Sequence, residues 1–187
     1  MSQGLLIALA AAALLLAASG WTYNRLVFNR QRVAAAWSGI DVQLKRRADL
    51  IPNLVSCVQG YMLHERATLQ ALTAERGQAV ALAQATLSQR APVESQLASS
   101  LGQVLALAEG YPQLQADRLF IDLQVNLRDC EEHLQMARRY YNGAVRELNV
   151  LVESVPSNLL ARLFGFVSGE YFAVNDHAER QAPNTEF

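Results

Sequence analysis

Apolar residues near the C-terminal end recur at alternating intervals of three and four positions. Charged residues such as Asp122, Arg139 and Glu147 lie between them. This spacing predicts one long amphipathic helix that packs along a seam of a- and d-type positions and ends before Pro156. The seam residues are Phe120, Leu123, Leu127, Cys130, Leu134, Ala137, Tyr141, Ala144, Leu148, Leu151 and Val155.

A second seam lies earlier in the chain and crosses Pro52. Its members are Trp37, Ile40, Leu44, Ile51, Leu54, Val58 and Tyr61. Because proline removes a hydrogen bond and clashes with the preceding turn, a break or kink is expected there. Asp49 is suited to cap a new helix with Pro52 in its first turn. The heptad phase continues across Pro52, so one kinked helix is the alternative.

A third helix is predicted over 93–109. Its apolar face comprises Leu97, Leu101, Val104, Leu105 and Ala108. The sequence Gly110-Tyr111-Pro112 ends this helix, and the weakly patterned residues 78–92 predict a frayed helix end with its connection. Four helices with short links can hide their apolar stripes only against one another. The predicted class is therefore all-α, an N-terminal transmembrane helix followed by an up-and-down four-helix bundle.

The first helix is predicted to be a membrane anchor. Residues 4–21 contain no charge, and eighteen helical residues span roughly 27 Å, enough for a hydrocarbon core. A retained anchor is favoured over a cleaved signal because no Lys or Arg precedes the apolar run. Trp21 and Tyr23 are typical interfacial aromatics. The expected domains are an anchor over 1–23, a bundle over 24–172 and a disordered tail over 173–187.

The cations next to the anchor predict its orientation. Arg25, Arg30 and Arg32 follow the apolar run closely. The positive-inside rule then predicts a single-pass inner-membrane protein with a cytoplasmic C-terminal domain. A periplasmic domain is the alternative.

The segment after Pro156 is almost entirely apolar. Leu159, Leu160, Leu163, Phe164 and Phe166 predict a patch that binds a membrane surface or a partner. The alternative is a segment folded back on the bundle end. Helices that alternate up and down from the anchor would return this patch to the membrane, whereas a continuous first helix would deliver it elsewhere.

Composition and charge narrow the classes of function. The 187 residues are 51% apolar and poor in Gly and Pro, which favours helices. Residues 1–50 carry six basic and two acidic side chains, a net charge of +4, and the remainder carries −5. Nucleic-acid binding through general contacts to backbone phosphates is therefore not expected. Cys57 and Cys130 are interpreted as buried small apolar residues rather than redox or disulfide groups.

The sequence lacks recognisable catalytic patterns. A di-iron bundle needs Glu three residues before His, but Tyr61, Cys130 and Val174 precede the three histidines. Cys130 and His133 lie one turn apart without further ligands nearby, and there is no phosphate-binding glycine loop. Neither an enzyme nor a cofactor is expected.

The run KRRADLIPNLV, residues 45–55, sets charges beside apolar residues and a proline. Arg46, Arg47 and Asp49 are suited to charge-assisted hydrogen bonds that fasten this segment to a neighbouring helix. That structural role is favoured over a docking surface. Polar groups expected to hydrogen-bond to those charged side chains are supplied by Tyr141 and Asn149, with the neighbouring Tyr140 and Asn142.

Several segments closely resemble the LemA family. They are YNRLV (23–27), AWSGIDVQLKRRADLIPNLVSCVQGYMLHE (36–65), EGYPQLQA (109–116), ARRYYNGAVRELN (137–149), VPSNLLARLFGF (155–166) and EYF (170–172). The resemblance implies a membrane helix, an up-and-down bundle and no established reaction, with one branch serving in magnetosome membrane formation. It marks as motif residues, structural or partner-docking, Lys45, Arg46, Arg47, Asp49, Leu50, Ile51, Pro52, Asn53, Leu54, Tyr111, Pro112, Tyr141 and Asn142.

The expected function is a membrane-anchored scaffold or membrane-organising protein without catalytic activity. The alternative is an accessory subunit of a membrane enzyme such as a protease or transporter. Expected partners are membrane lipid, unidentified proteins and further copies of the chain, but not nucleic acid.

Overall fold

The computed structural model describes residues 3–172, so the tail expected over 173–187 lies outside the described residues. Six helices and no strand occur in the described range, and the all-α class is confirmed. The helices are α1 Gln3–Val58, α2 Arg66–Ala81, α3 Leu87–Ala108, α4 Pro112–Gln115, α5 Arg118–Glu153 and α6 Ser157–Leu163.

Helix α1 passes through Pro52 as one continuous element. Pro52 has no N–H to donate to the Ala48 carbonyl four residues earlier. Instead, Nε of Arg76 in α2 donates to that carbonyl at 3.1 Å. The acceptor that proline leaves free has therefore found a partner on a neighbouring helix, and the alternative of one helix is the correct one.

Two helix boundaries differ from the prediction. A connection over 59–65 separates α1 from α2, although no boundary was predicted there. The prediction for residues 78–92 is wrong in its second half, because α3 begins at Leu87 and contains Pro92. The backbone N–H of Thr86 donates to Oε1 of Gln89 at 3.2 Å, as in a capping box. The sequence Thr86-Leu87-Ser88-Gln89 is the start signal of this helix.

The chain packs as two compact units, which are described separately. Within the described residues, the anchor unit comprises 3–40 and 137–171, and the bundle unit comprises 41–136 and Phe172.

The bundle unit buries a continuous apolar cluster drawn from α1, α2, α3, α4 and the first half of α5. From α1 and the turn that follows come Ile51, Leu54, Val58 and Met62, and the remainder are Leu69, Leu72, Ala79, Leu97, Leu101, Val104, Ala108, Leu114, Phe120 and Leu127. The predicted faces of the second seam and of the third helix supply half of this cluster. Burial of these side chains is the main force that holds the helices together.

In the anchor unit, α5 runs antiparallel to α1. The ring of Trp37 packs edge-on against Tyr141 at 5.5 Å, and Arg32 pairs with Glu147 farther along α5. Most predicted seam residues are buried as far as Leu148, but Val155 is 80% exposed. Helix α5 ends at Glu153, so the predicted last seam position is wrong.

Candidate functional site

Helix α1 begins with a segment that fits a membrane anchor. Among the described helices, α1 is the one that is long and apolar enough to cross a membrane. None of its apolar window is buried inside the protein. The Trp21 side chain is exposed, and the Arg25 guanidinium lies 4.9 Å from the centre of its ring. A cation over an indole face is a favourable arrangement at the boundary between hydrocarbon and headgroups.

The motif over residues 45–55 has a buried half centred on Arg47, whose side chain is fully buried. Its Nη2 donates to Oε2 of Glu94 on α3 at 2.6 Å and to the Glu94 carbonyl at 3.2 Å. Its Nη1 donates to Oε1 of Glu131 on α5 at 2.9 Å. One guanidinium thus joins three helices of the bundle unit.

The charge of Arg47 is held by its partners. Burial lowers the pKa of the guanidinium, but the Glu131 and Glu94 carboxylates outweigh that effect and raise the pKa above its ordinary value. Arg90 extends the network, because its Nη1 donates to Asp41 at 2.9 Å and to the Ala83 carbonyl at 2.7 Å. The sequence prediction missed Arg90 because it placed the residue in a connection rather than on α3.

Arg46 bonds at the surface of the same unit. Its Nη1 lies 2.7 Å from Oδ2 of Asp129 on α5, and both side chains are partly exposed. Arg46 and Arg47 therefore both bond to neighbouring helices, whereas Asp49 is exposed.

The exposed half of the motif forms a separate face of α1. Lys45, Asp49, Pro52 and Asn53 all face solvent. Together with Val42, Arg46 and Leu50, most of them line a shallow groove. Spacings of three and four residues place these side chains on one side of the helix, opposite Ile51 and Leu54. This face contributes little to the core and is available to a partner.

The remaining motif residues have different surroundings. Tyr111 packs against the core of the bundle unit, and Pro112 is the first residue of α4. Tyr141 and the half-buried Asn142 belong to the anchor unit. The Tyr141 hydroxyl donates to the Glu170 carbonyl at 3.0 Å. Burial of this hydroxyl, with a smaller contribution from the Glu170 carboxylate, raises the Tyr141 pKa.

Asn149 fastens the segment after α6 to α5. Its amide donates to the Gly169 carbonyl at 3.0 Å, and its Oδ1 accepts from the Gly169 N–H at 2.7 Å. The expectation that Tyr141 and Asn149 answer the charges of residues 45–55 is therefore wrong, because those charges have carboxylate partners on α3 and α5. In the sequence, the family resemblance of residues 170–172 was the signal that pointed to the part of this segment near Gly169.

The apolar segment over 159–166 is divided between core and surface. Phe166 and Ala161 pack on Leu26 of α1, with the partly buried Leu160 beside them. Leu159, Leu163 and Phe164 point outward and are 66%, 74% and 54% exposed. The interpretation of a folded-back segment is thus correct for Phe166 and Leu160, whereas binding of a membrane or a partner by the exposed side chains stays a prediction. The Ser157 hydroxyl donates to the Ser154 carbonyl, and Pro156 stands at the N-cap position of α6.

This segment lies beside the end of the apolar run of α1. The ring of Tyr23 packs edge-on against Phe164 at 4.8 Å and against Phe166 at 5.9 Å. The expectation that a continuous first helix would deliver the patch elsewhere is therefore wrong. Within the anchor unit, α5 runs back along α1 and brings the patch beside Tyr23.

The two cysteines are free thiols. Cys130 is buried, and its Sγ donates to the Gln43 carbonyl at 3.3 Å, whereas Cys57 is half-buried. Burial raises the pKa of both thiols, and the nearby carboxylates of Glu131 and Asp117 act in the same direction. Within residues 3–172, no group of three or more His, Cys, Asp or Glu side chains is placed to hold a metal ion.

The geometry defines a class, that of helical proteins with an apolar N-terminal helix suited to a membrane. The family model for the LemA family matches residues 36–187. The chain belongs to the LemA family.

Individual relatives are more distant. The chain is 24% identical over 174 residues to Magnetosome protein MamQ 2 of Paramagnetospirillum magneticum and to Magnetosome protein MamQ of Magnetospirillum gryphiswaldense, matches that cover 80% of this chain and 64% of each relative. It is 26% identical over 141 residues to Protein LemA of Metamycoplasma hominis, covering 74% of this chain and 63% of that protein. The chain thus spans a little under two thirds of the length of these relatives.

Proposed function

We propose that this protein is a single-pass membrane scaffold whose helical part organises proteins or lipid at the membrane without catalysing a reaction. The observation that carries the proposal is the composition of α1. This one helix contains an apolar window with no buried side chain, followed by arginines that bind other helices of the protein. A membrane anchor that continues into a set of packed helices is suited to holding those helices at a bilayer.

The charged residues of the motif support a structural purpose. Arg46 and Arg47 have carboxylate partners within the protein, so the most charged part of the family motif is used for packing. The two relatives called magnetosome proteins are named for a structure rather than for a reaction. Both facts favour an organising role.

The proposed location is the inner membrane, with the C-terminal domain in the cytoplasm. The first cations after the apolar run are Arg25, Arg30 and Arg32, and none precedes it. This asymmetry favours the cytoplasmic side, with the extracytoplasmic side as the alternative.

One experiment tests both location and role. A biotin ligase for proximity labelling is fused after Phe187 in cells, and a cytoplasm-only activity reporter is fused at the same site. We expect reporter activity and enrichment of a small set of membrane proteins over a free-ligase control. Labelling that matches the free-ligase control would contradict the scaffold, whereas an inactive reporter would contradict only the cytoplasmic orientation.

The second candidate is an accessory subunit of a membrane enzyme, and the exposed half of the motif favours it. Lys45 and Asp49 face solvent on the groove side of α1. Exchanging them, Lys45→Glu with Asp49→Lys, preserves net charge and leaves the buried bonds of Arg47 intact. Loss of a co-purifying enzyme with unchanged helicity would support docking through this face.

A matched control uses the same spacing on α5. Arg128 and Glu132 are exposed and four residues apart. The exchange Arg128→Glu with Glu132→Lys should leave co-purification unchanged. Equal loss in both variants would contradict a specific docking face, and charge reversal at Arg47 is unsuitable because it would disturb the core.

A further inference from the structure

The outer face of α6 is apolar although the helix is short and packed on the protein by its other side. Ser157 and Ala161 are buried, whereas Leu159 and Leu163, four residues apart, are both largely exposed. Val155, Phe164 and Val167 continue the exposed apolar surface on either side. An apolar surface of this kind, on a helix already fixed in place, usually marks an interaction site.

The position of this face within the anchor unit indicates what covers it. Tyr23 contacts both Phe164 and Phe166, and it stands two residues after Trp21, the end of the predicted span over 4–21. Two helical residues correspond to about 3 Å along the axis. If the apolar run of α1 lies in hydrocarbon, α6 lies at the level where α1 leaves it.

The charges of the anchor unit complement a lipid headgroup layer. Its described residues contain seven arginines and three glutamates, a net charge of +4, whereas residues 41–136 carry a net charge of −3. Arg25 lies over the ring of Trp21, Arg30 lies 5.1 Å from the ring centre of Phe166, and Arg162 is exposed on α6 itself. Arginines interleaved with aromatic and leucine side chains are typical of surfaces that bind anionic membranes.

We propose that the exposed face of α6, formed by Val155, Leu159, Leu163, Phe164 and Val167, is a second membrane-contact site, which inserts into the lipid–water interface beside the exit of α1. Arg25, Arg30 and Arg162, which lie beside this face, contact the anionic headgroups. This inference rests on the membrane anchoring that the proposed function includes. It fixes the anchor unit against the bilayer at two points, which limits rotation about the first helix.

Quenching of tryptophan fluorescence by brominated lipid tests the contact in the full-length protein. The variants Leu159→Trp and Leu163→Trp are made in a Trp21→Phe background and reconstituted into vesicles of dibrominated phosphatidylcholine with phosphatidylglycerol. The matched control is Ala35→Trp, at an exposed position of α1 that lies twelve residues, or roughly 18 Å, beyond Tyr23. All variants contain Trp37, and its fluorescence, measured in the Trp21→Phe background alone, is subtracted.

We expect quenching several-fold stronger at positions 159 and 163 than at position 35, with unchanged far-ultraviolet circular dichroism. Equal quenching at all three positions would overturn the proposal. So would a blue-shifted emission at position 163 without quenching, because a second copy or another protein would then cover the face. Unchanged quenching in vesicles without phosphatidylglycerol would overturn the part assigned to headgroup charge.

The protein with its native Trp21 separates failure of this inference from failure of anchoring. Trp21 lies at the end of the apolar run and should itself be quenched by brominated lipid. Quenching of Trp21 without quenching at position 163 would overturn the α6 contact alone. If neither is quenched, the anchor in the proposed function is also wrong.

Discussion

Arg47 shows how a single residue can organise several helices. Its guanidinium is fully buried and bonded to Glu94 and Glu131, and Glu94 is itself almost fully buried. Taking such charges out of water costs several kcal/mol per ion, which is offset only when each charge keeps its partners. The ion pairs of Arg47 with Glu94 and Glu131 therefore specify the arrangement of α1, α3 and α5 more than they add to net stability.

Removal of one partner should consequently be costly. We expect Arg47→Ala to lower the free energy of unfolding by roughly 3–5 kcal/mol, because Glu94 is left buried without its main counter-charge. Guanidinium titration followed by circular dichroism in detergent measures this loss. Arg46→Ala is the control, since its pair with Asp129 is partly exposed and contributes about 0–1 kcal/mol. Similar losses in the two variants would contradict the special role of Arg47.

The thiols provide a second prediction at this scale. Because burial raises the pKa of Cys130 and Cys57, less thiolate is present in the folded protein at pH 8 than in the unfolded chain. Alkylation by iodoacetamide should therefore be slower when folded, and its rate should still be rising with pH above the ordinary thiol pKa. Time-resolved mass spectrometry in the presence and absence of denaturant checks this. A folded-state rate that levels off at the ordinary pKa would contradict it.

At the scale of helices, Pro52 and Arg76 explain why α1 stays continuous. Periodicity in the sequence already indicated one heptad phase across Pro52. A local pattern, however, carries no information about a hydrogen-bond donor that lies 28 residues after Ala48. Arg76 supplies that donor to the Ala48 carbonyl. The proline is thus tolerated because of a tertiary contact, not because of its immediate neighbours.

A double-mutant cycle measures this coupling. Arg76→Met should cost about 1–3 kcal/mol, because it leaves the buried Ala48 carbonyl without a partner. In a Pro52→Ala background the backbone gains an N–H at position 52 that can bond to the same carbonyl, so the cost of Arg76→Met should be smaller by at least about 0.5 kcal/mol. Thermal unfolding of the four proteins gives the coupling. Additive effects would show that Arg76 does not compensate for the proline, and Arg66→Met, at an exposed position of α2, should be near neutral in both backgrounds.

For the whole molecule, periodicity predicted the helical class and most of the buried seam of α5, and the C-terminal ends of α3 and α5 were predicted approximately. These features are set by local spacing and by Gly and Pro at helix ends. The partners of Arg47, the clamp of Asn149 on Gly169 and the neighbourhood of α6 depend on residues far apart in sequence, which no spacing reveals. Arg90 was missed for a narrower reason, because the start of α3 was placed six residues too late and excluded it.

The apolar window and the packed helices should also be separable in experiment. None of the window is buried inside the protein, so its side chains contribute nothing to the packed cores. We expect the double substitution Leu9→Arg with Leu15→Arg to move the protein from the carbonate-washed membrane fraction to the soluble fraction, since each arginine near the centre of a span costs roughly 2.5–3.5 kcal/mol. The thermal midpoint of the helices should change little, because the Arg47 network and both cores lie outside the window. A comparable protein with Val42→Arg, an exposed position of α1 in the bundle unit, should stay in the membrane. Retention of the doubly charged variant in the washed membrane would show that another part of the chain, with α6 as the first candidate, is enough to hold the protein there.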